Sequence, residues 1–319
     1  MNWKKGIAVA LSAISIMAMV AGCGSNTATN DQKKIGVIQL VEHPSLDAAN
    51  KGFVDGLASK GYKDGENIKL DQQNAQADQS NLNSIAQRFV SDKKDLVLAI
   101  ATPSAQTMAN ASHDIPIMGT AITDYVTAKL VQSNEHPGGN VSGTSDMTPV
   151  EKEVDLIMAL VPNVKRIGAI YTSSEINSQL QVEKMKAYAA TKGITVVEAT
   201  VSNVNDIQQA ATNLVNQDVQ AIYTPTDNVL ASAMANLAQI TDAAKIPVFA
   251  ADEGMTMTGG VATYSVDYYK LGYQTGLMAA KVLSGEAKIS DLAIETQKDI
   301  KLTVNEERAK KLEIGRAHV

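Results

Sequence analysis

The chain has 319 residues, 45% of them hydrophobic, with 28 basic against 34 acidic side chains and a net charge of −6. That length supports about two domains with a normal core in each; the apolar share excludes a disordered chain, and the acidic balance argues against nucleic acid as a partner. A single cysteine, Cys23, excludes an intramolecular disulfide, a CxxC redox pair and a cysteine-ligated zinc, while His43, His113, His136 and His318 lack metal-ligand spacing, so no metal is expected.

Lys4 and Lys5 precede an apolar run over residues 7–22. A helix of that length, rising ~1.5 Å per residue, falls short of the ~30 Å bilayer core, so the run reads as the apolar region of a signal peptide rather than a span. It ends in Val20-Ala21-Gly22-Cys23, which resembles a bacterial lipobox. In such signals small residues suit the signal peptidase and the cysteine thiol receives lipid. Residues 1–22 are therefore expected to be a lipoprotein signal peptide, and 23–32 the lipidated cysteine and a small, polar, flexible tether. A diacylated cysteine supplies two chains, enough for stable anchoring to the cell membrane on its extracytoplasmic face. Cleavage removes Lys4, Lys5 and the only tryptophan, Trp3, leaving 26 basic against 34 acidic residues and a charge of −8.

From Lys34 onward, short apolar runs alternate with stretches whose apolar residues recur at helical spacing. Strands are expected at 35–41, 67–72, 95–100 and 115–120, with helices between them: Leu46, Ala49, Phe53 and Leu57 share one face, as do Leu82, Ile85, Phe89 and Val90. A second series has strands at 166–171, 194–200, 219–223 and 247–250 and helices at 175–191, 204–217 and 227–244. Alternating units of this kind predict an α/β fold of two doubly wound parallel-sheet domains, separated near residues 146–149. A further strand at 260–265 and helix at 267–283 are expected to return together to the first domain. The boundaries expected are 33–145 with 256–290 for the first lobe and 146–255 with 291–319 for the second, the three crossings forming a hinge. The last seven residues, EIGRAHV, break the charged helical pattern of 305–312. They also back-translate into a common sequencing adaptor, so the natural C-terminus is expected to continue differently after about Leu312.

Enzyme motifs are mostly missing. No GxGxxG follows a strand, Gly-Lys never occurs and no GxSxG elbow exists, so no nucleotide cofactor or α/β-hydrolase nucleophile is indicated. Ser91-Asp92-Lys93-Lys94 matches SxxK but reads as a charged loop after a helix. Glu151, Glu153 and Asp155 read as a solvated helical face.

In open parallel sheets, ligands bind where strand C-terminal ends meet helix N-termini. Those junctions carry His43 and Ser45; Thr102 and Ser104; Thr123 and Asp124; Glu175 and Asn177; Asp227 and Asn228; and Asp252. Each can be an ordinary helix cap, but six such groups at matching edges of two domains can face one another across a cleft. The helix start after Pro103, with the Thr102 and Ser104 hydroxyls, is suited to a carboxylate. Asp227 or Asp124 can take an ammonium, and Tyr125, Tyr171, Tyr268 and His43 can flank a ring.

The chain resembles the ABC-transporter substrate-binding lipoproteins of the type I periplasmic-binding-protein (Venus-flytrap) fold, in particular the tryptophan-transporter binding subfamily. The resemblance rests on His43-Pro44-Ser45-Leu46-Asp47, Gly52-Phe53-Val54-Asp55-Gly56-Leu57, Ala101-Thr102-Pro103-Ser104-Ala105-Gln106, Ser173-Ser174-Glu175-Ile176-Asn177-Ser178, Pro225-Thr226-Asp227-Asn228 and Asp267-Tyr268-Tyr269-Lys270-Leu271-Gly272. It spans about residues 34–310. It implies capture of an aromatic amino acid, chiefly L-tryptophan, by lobe closure, and delivery to a permease driven by an ATPase. One departure is Tyr125, where the family pattern has proline after the aspartate. Other readings of the same residues are a binding protein or sensor for a sugar, a purine or another small metabolite, and an extracellular α/β hydrolase.

Overall fold

A computed structural model describes residues 32–314. The expectations for the signal peptide, for Cys23 and for the end of the tail fall on residues 1–31 and 315–319, outside the described residues.

The first series comprises β1 (Lys33–Gln39), α1 (Pro44–Ser59), β2 (Ile68–Asn74), α2 (Gln79–Ser91), β3 (Leu96–Ile100), α3 (Thr102–Ala111), β4 (Ile117–Ile122) and β5 (Val141–Ser145). The second comprises α4 (Val150–Leu160), β6 (Arg166–Thr172), α5 (Ile176–Thr191), β7 (Thr195–Val201), α6 (Ile207–Val215), β8 (Ala221–Thr224), α7 (Asn228–Ser232), α8 (Met234–Ala243), β9 (Val248–Ala250), α9 (Glu253–Thr258) and β10 (Ala262–Ser265). The chain continues through α10 (Tyr268–Ser284), β11 (Glu295–Thr296), β12 (Lys301–Val304) and α11 (Glu306–Lys311).

Both main sheets are parallel. The first runs β11-β5-β4-β3-β1-β2 and the second β7-β6-β8-β9. Each places its first strand between the second and the third, so the direction of winding reverses between β1 and β3 in one sheet and between β6 and β8 in the other, opening a crevice at the strand C-termini. Helices on both faces explain why β3 (LVLAI) is buried at every position, a continuous apolar run rather than an alternating one. One core gathers Ile35, Val37, Phe53, Phe89 and Leu98 with Leu271 and Met278 of α10. The second lobe has two cores, one on each face of its sheet, around Ile157, Val182 and Tyr223 and around Leu214, Leu230 and Leu237.

The structure departs from the expected boundaries in two places. Residues 256–265 do not go to the first lobe. Val261 and Ala262 sit in a second-lobe core, Val261 N–H donates to Val248 O, and β10 pairs antiparallel with β12. Only α10 returns. The partner of this strand lies some 40 residues later, beyond any local pattern. Residues 291–296 likewise differ: β11 adds to β5 at the edge of the first sheet before the chain crosses back to β12. The connections between lobes therefore run at 146–149, 266–267 and 297–300.

Two further differences have local causes. The helix expected over 227–244 breaks at Ala233 (φ −127°, ψ 23°), leaving α7 on its Asp227 cap while α8 packs beside α6. Strand β5 (VSGTS) shows no apolar signal, yet all five residues are buried because its hydroxyls are satisfied inside: Ser142 donates to Leu292 O, and Thr144 bonds the hydroxyls of Thr120 and Thr275. Its Gly143 (φ 147°) is required, since a Cβ there would stand 2.0 Å from Gly119 O.

Candidate functional site

The polar strand ends of the two sheets meet between the lobes. His43, Thr123, Asp146 and Tyr268 from the first lobe and its crossing, and Asn177, Thr226, Asp227, Asn228 and Asp252 from the second, line one small enclosed space of about 10 Å³. Direct bonds draw it shut: Ser45 Oγ donates to Asp252 Oδ1 (2.8 Å), the Thr123 and Thr226 hydroxyls are 3.1 Å apart, and His43 Nε2 lies 3.5 Å from Asn228 Oδ1. Beside it a cavity of about 550 Å³ is lined by Leu40, Leu82, Pro103, Gln106 and Leu130 on one side and Thr172, Ser174, Glu175 and Val229 on the other. The two spaces adjoin, because Asn228 Nδ2 of the first donates to Glu175 Oε2 of the second at 2.6 Å.

Each polar group is held by the start of an element. His43 precedes α1 in extended backbone, with Pro44 supplying the fixed φ of a first helical residue. Burial lowers its pKa against the pull of Asp252, so the ring is neutral. Asn228 Nδ2 is committed to Glu175, so its amide oxygen faces His43. Asp252 caps α9, accepting from Met255 N–H at 2.7 Å. Tyr268 opens α10 and donates to Asp146 Oδ2 at 2.8 Å.

The carboxylates divide by how fully they are engaged. Asp227 accepts from Thr172 N–H (2.6 Å), Thr172 Oγ1 (2.7 Å), Ser178 Oγ (2.8 Å) and Leu230 N–H (2.9 Å). Four donors use its lone-pair sites, so it caps α7 and ties β6 and α5 to it, and it is not the free counter-charge that the sequence suggested. Asp124 is half-buried, accepts from Thr127 N–H at 2.7 Å, and lines neither cavity. Glu175 is buried, and burial followed by the neighbouring Asp227 charge pushes its carboxyl up to about 8, against the pull of the Asn177 and Asn228 amides.

At the start of α3, Ala101 sits at φ 81°, ψ 153°, a strained conformation for a residue with a side chain. Thr102 and Ser104 follow, both buried, and Ser104 Oγ has no partner. First-turn N–H groups have no intrahelical acceptor, so this end of α3 offers unused donors. Among the expected ring-flanking residues, only His43 and Tyr268 line the cleft. Tyr125 is fully buried with its hydroxyl on Thr144 O (3.0 Å), and Tyr171 donates to Glu198 on the sheet's outer edge (2.8 Å). The apolar surface of the large cavity is aliphatic instead.

Asp146 was not legible as a site residue. It stands at the crossing after β5, a segment without cap or strand signal. The SxxK residues do not come together as a nucleophile and base: Ser91 donates to Gln87 O at 2.9 Å, and Lys94 pairs with Asp71 at 2.7 Å. Glu153 is not solvated; it is fully buried and accepts from Tyr264 N–H and Thr263 Oγ1. Among the described residues no group of three or more His, Cys, Asp or Glu is arranged to hold a metal ion.

Two parallel α/β lobes linked by three crossings, with matching polar strand ends that bond across a shut cleft, define a two-lobed solute-binding protein of the type I periplasmic-binding-protein fold. Comparison with known proteins makes this specific. The model of the ABC transporter substrate binding protein family matches residues 34–317, and the chain belongs to that family. A tyrosine-binding protein of Clostridioides difficile is 44% identical over 322 residues, covering 98% of this chain and 93% of that protein. A solved ABC domain in complex with L-Trp from Streptococcus pneumoniae is 42% identical, with a TM-score of 0.85 over 89% of this chain and 95% of its own. The ligand-free, open structure of a Clostridium difficile substrate-binding protein with adhesive properties is 48% identical over 88% of this chain and 95% of its own, yet its TM-score is 0.67. Over the whole chain, the more similar sequence superposes less well than the complex does.

Proposed function

We propose that this ABC transporter substrate-binding protein captures an aromatic L-amino acid, L-tryptophan first and L-tyrosine next, by closing its lobes at the three crossings, and passes it unchanged to a membrane permease with its ATPase. The observation that carries this is a set of buried polar atoms without partners at the cleft-facing strand ends: Ser104 Oγ, Asp146 Oδ1, Asn177 Oδ1 and Thr224 Oγ1. Buried polar groups are nearly always bonded; Asp146 and Asn177, one from each side, line the small space between the lobes, where a ligand with both donors and acceptors would satisfy them. The α3 start, with Thr102 and Ser104, would suit the ligand carboxylate, and Asn177, Asn228, Asp252, Thr123, His43 and Tyr268, with Ser45 bonded to Asp252, would surround its head group. The 550 Å³ cavity, with Leu40, Leu82, Leu130 and Val229, is large enough for an indole or phenol ring. The relatives that bind tyrosine and L-Trp support the same class. A ligand touching both lobes only when they are shut shifts the population to the closed form, which a permease can read. Anchoring through a lipid on Cys23 would keep the protein beside that permease.

The chain beyond residue 22 contains no tryptophan, so the test is direct. Excited near ~295 nm, where tryptophan dominates emission, added L-tryptophan is the only strong emitter, and enclosure should raise its anisotropy. A flat titration at micromolar protein would refute L-tryptophan, and no thermal shift with L-tyrosine either would leave a sugar or purine as the reading to test.

A further inference from the structure

We infer that Asp146, together with Asp252 from the other lobe, is the counter-charge for the ligand's ammonium group, and that this ammonium and a proton compete for Asp146. The inference rests on the amino-acid ligand proposed above. Asp146 is 3% exposed and lines the enclosed space; its Oδ2 takes the Tyr268 hydroxyl, while Oδ1 has no hydrogen-bond partner. Asp252, 2% exposed, lines the same space and accepts only on Oδ1, from Ser45 and Met255.

The groups facing these carboxylates supply no cation. From α1 comes neutral His43; from the end of β4 come Thr123 and, behind it, Tyr125; from α10 comes Tyr268. From the second lobe come Asn177, Thr226, Asn228 and Asp227, the last already filled by four donors. No lysine or arginine lines the space, and its 10 Å³ leaves room for about one water and no hydrated ion. Two ionised aspartates would therefore repel across a dry, closed cleft. Burial pushes Asp146 up to about 6 against the pull of the Tyr268 and Thr123 hydroxyls, with the Asp252 charge adding to the rise.

With no cation beside it, Asp146 holds a proton more readily than a free carboxyl does. When the amino acid binds, Asp146 is a carboxylate paired with –NH₃⁺, and any proton it held passes to solvent. Protons then compete with the ligand, so affinity falls as pH drops below about 6.

Titration calorimetry with L-tryptophan, run at pH 6 in two buffers of different ionisation enthalpy, should show release of about half a proton per ligand, fading towards none by about pH 8. Indole-3-propionate, with the same ring and carboxylate but no amine, should bind more weakly and release none. Asp146→Asn should abolish the release and weaken L-tryptophan roughly tenfold or more, while narrowing the gap to indole-3-propionate. Equal affinity and equal proton release in Asp146→Asn, or no release by the wild type when it binds L-tryptophan, overturns the inference. If Asp146→Asn does not fold, the wild-type proton count and the two-ligand comparison decide alone. If the wild type binds neither ligand, it is the aromatic amino-acid reading that fails, and this inference with it.

Discussion

Replacing Glu153 by glutamine should stabilise the protein at neutral pH and change little in acid. Glu153 lies in the first turn of α4, with Oε1 accepting from Tyr264 N–H (2.7 Å) and Thr263 Oγ1 (3.1 Å) and Oε2 without a partner. Burial pushes its carboxyl from 4.5 up to about 8, against those two hydrogen bonds. Between those values the folded chain keeps a proton that the unfolded chain has shed, so stability falls as pH rises through the window. At ~1.36 kcal/mol per unit, the loss between pH 5 and pH 7 is about 2.5 kcal/mol. Glutamine keeps the accepting oxygen and puts an amide where the protonated carboxyl would carry its hydrogen, so it imitates the neutral acid and does not titrate. Urea unfolding followed by circular dichroism at pH 5, 6 and 7 should show Glu153→Gln gaining on the wild type by about that amount across the series. A wild-type-to-mutant difference that is the same at pH 5 and pH 7 would refute the reasoning.

Gly272→Ala would place a Cβ 1.8 Å from Ala49 O, where α10 presses on α1, with Gly52 making the reciprocal approach to Tyr269 O at 2.0 Å; forcing the helices apart should cost roughly 1–3 kcal/mol, and an unchanged Tm would contradict it. Asp227→Ala leaves Thr172, Ser178 and Leu230 donors unmet and should cost roughly 3–5 kcal/mol of stability; lost ligand binding at full stability would instead mean that Asp227 serves the ligand. Cys23→Ser should free the protein from membranes, and equal retention of mutant and wild type after detergent-free washing would count against the anchor.

Much of the architecture is legible without coordinates because its signals are local. β3 is an unbroken apolar run, α1 repeats its apolar residues at helical spacing, and serine, threonine and aspartate at helix starts mark the strand ends that face the cleft. His43, Asn177, Asn228, Asp252 and Tyr268 reach the crevice for that reason. What tertiary structure alone decides is which polar groups remain free. Asp227 carries a helix-start signal and Asp146 carries none, yet residues some 50 positions away bring Thr172 and Ser178 onto Asp227, whereas Asp146 Oδ1 is left without a hydrogen-bond partner beside the Tyr268 hydroxyl on Oδ2. β5 is hidden for the same reason: its serines and threonines are buried only because Leu292, Thr120 and Thr275 arrive to satisfy them. β10 stays in the second lobe because β12 returns to pair with it. Chain spacing encodes periodicity and caps, but the desolvation of a carboxylate or hydroxyl depends on partners contributed by distant segments, and those partners meet only in the folded chain.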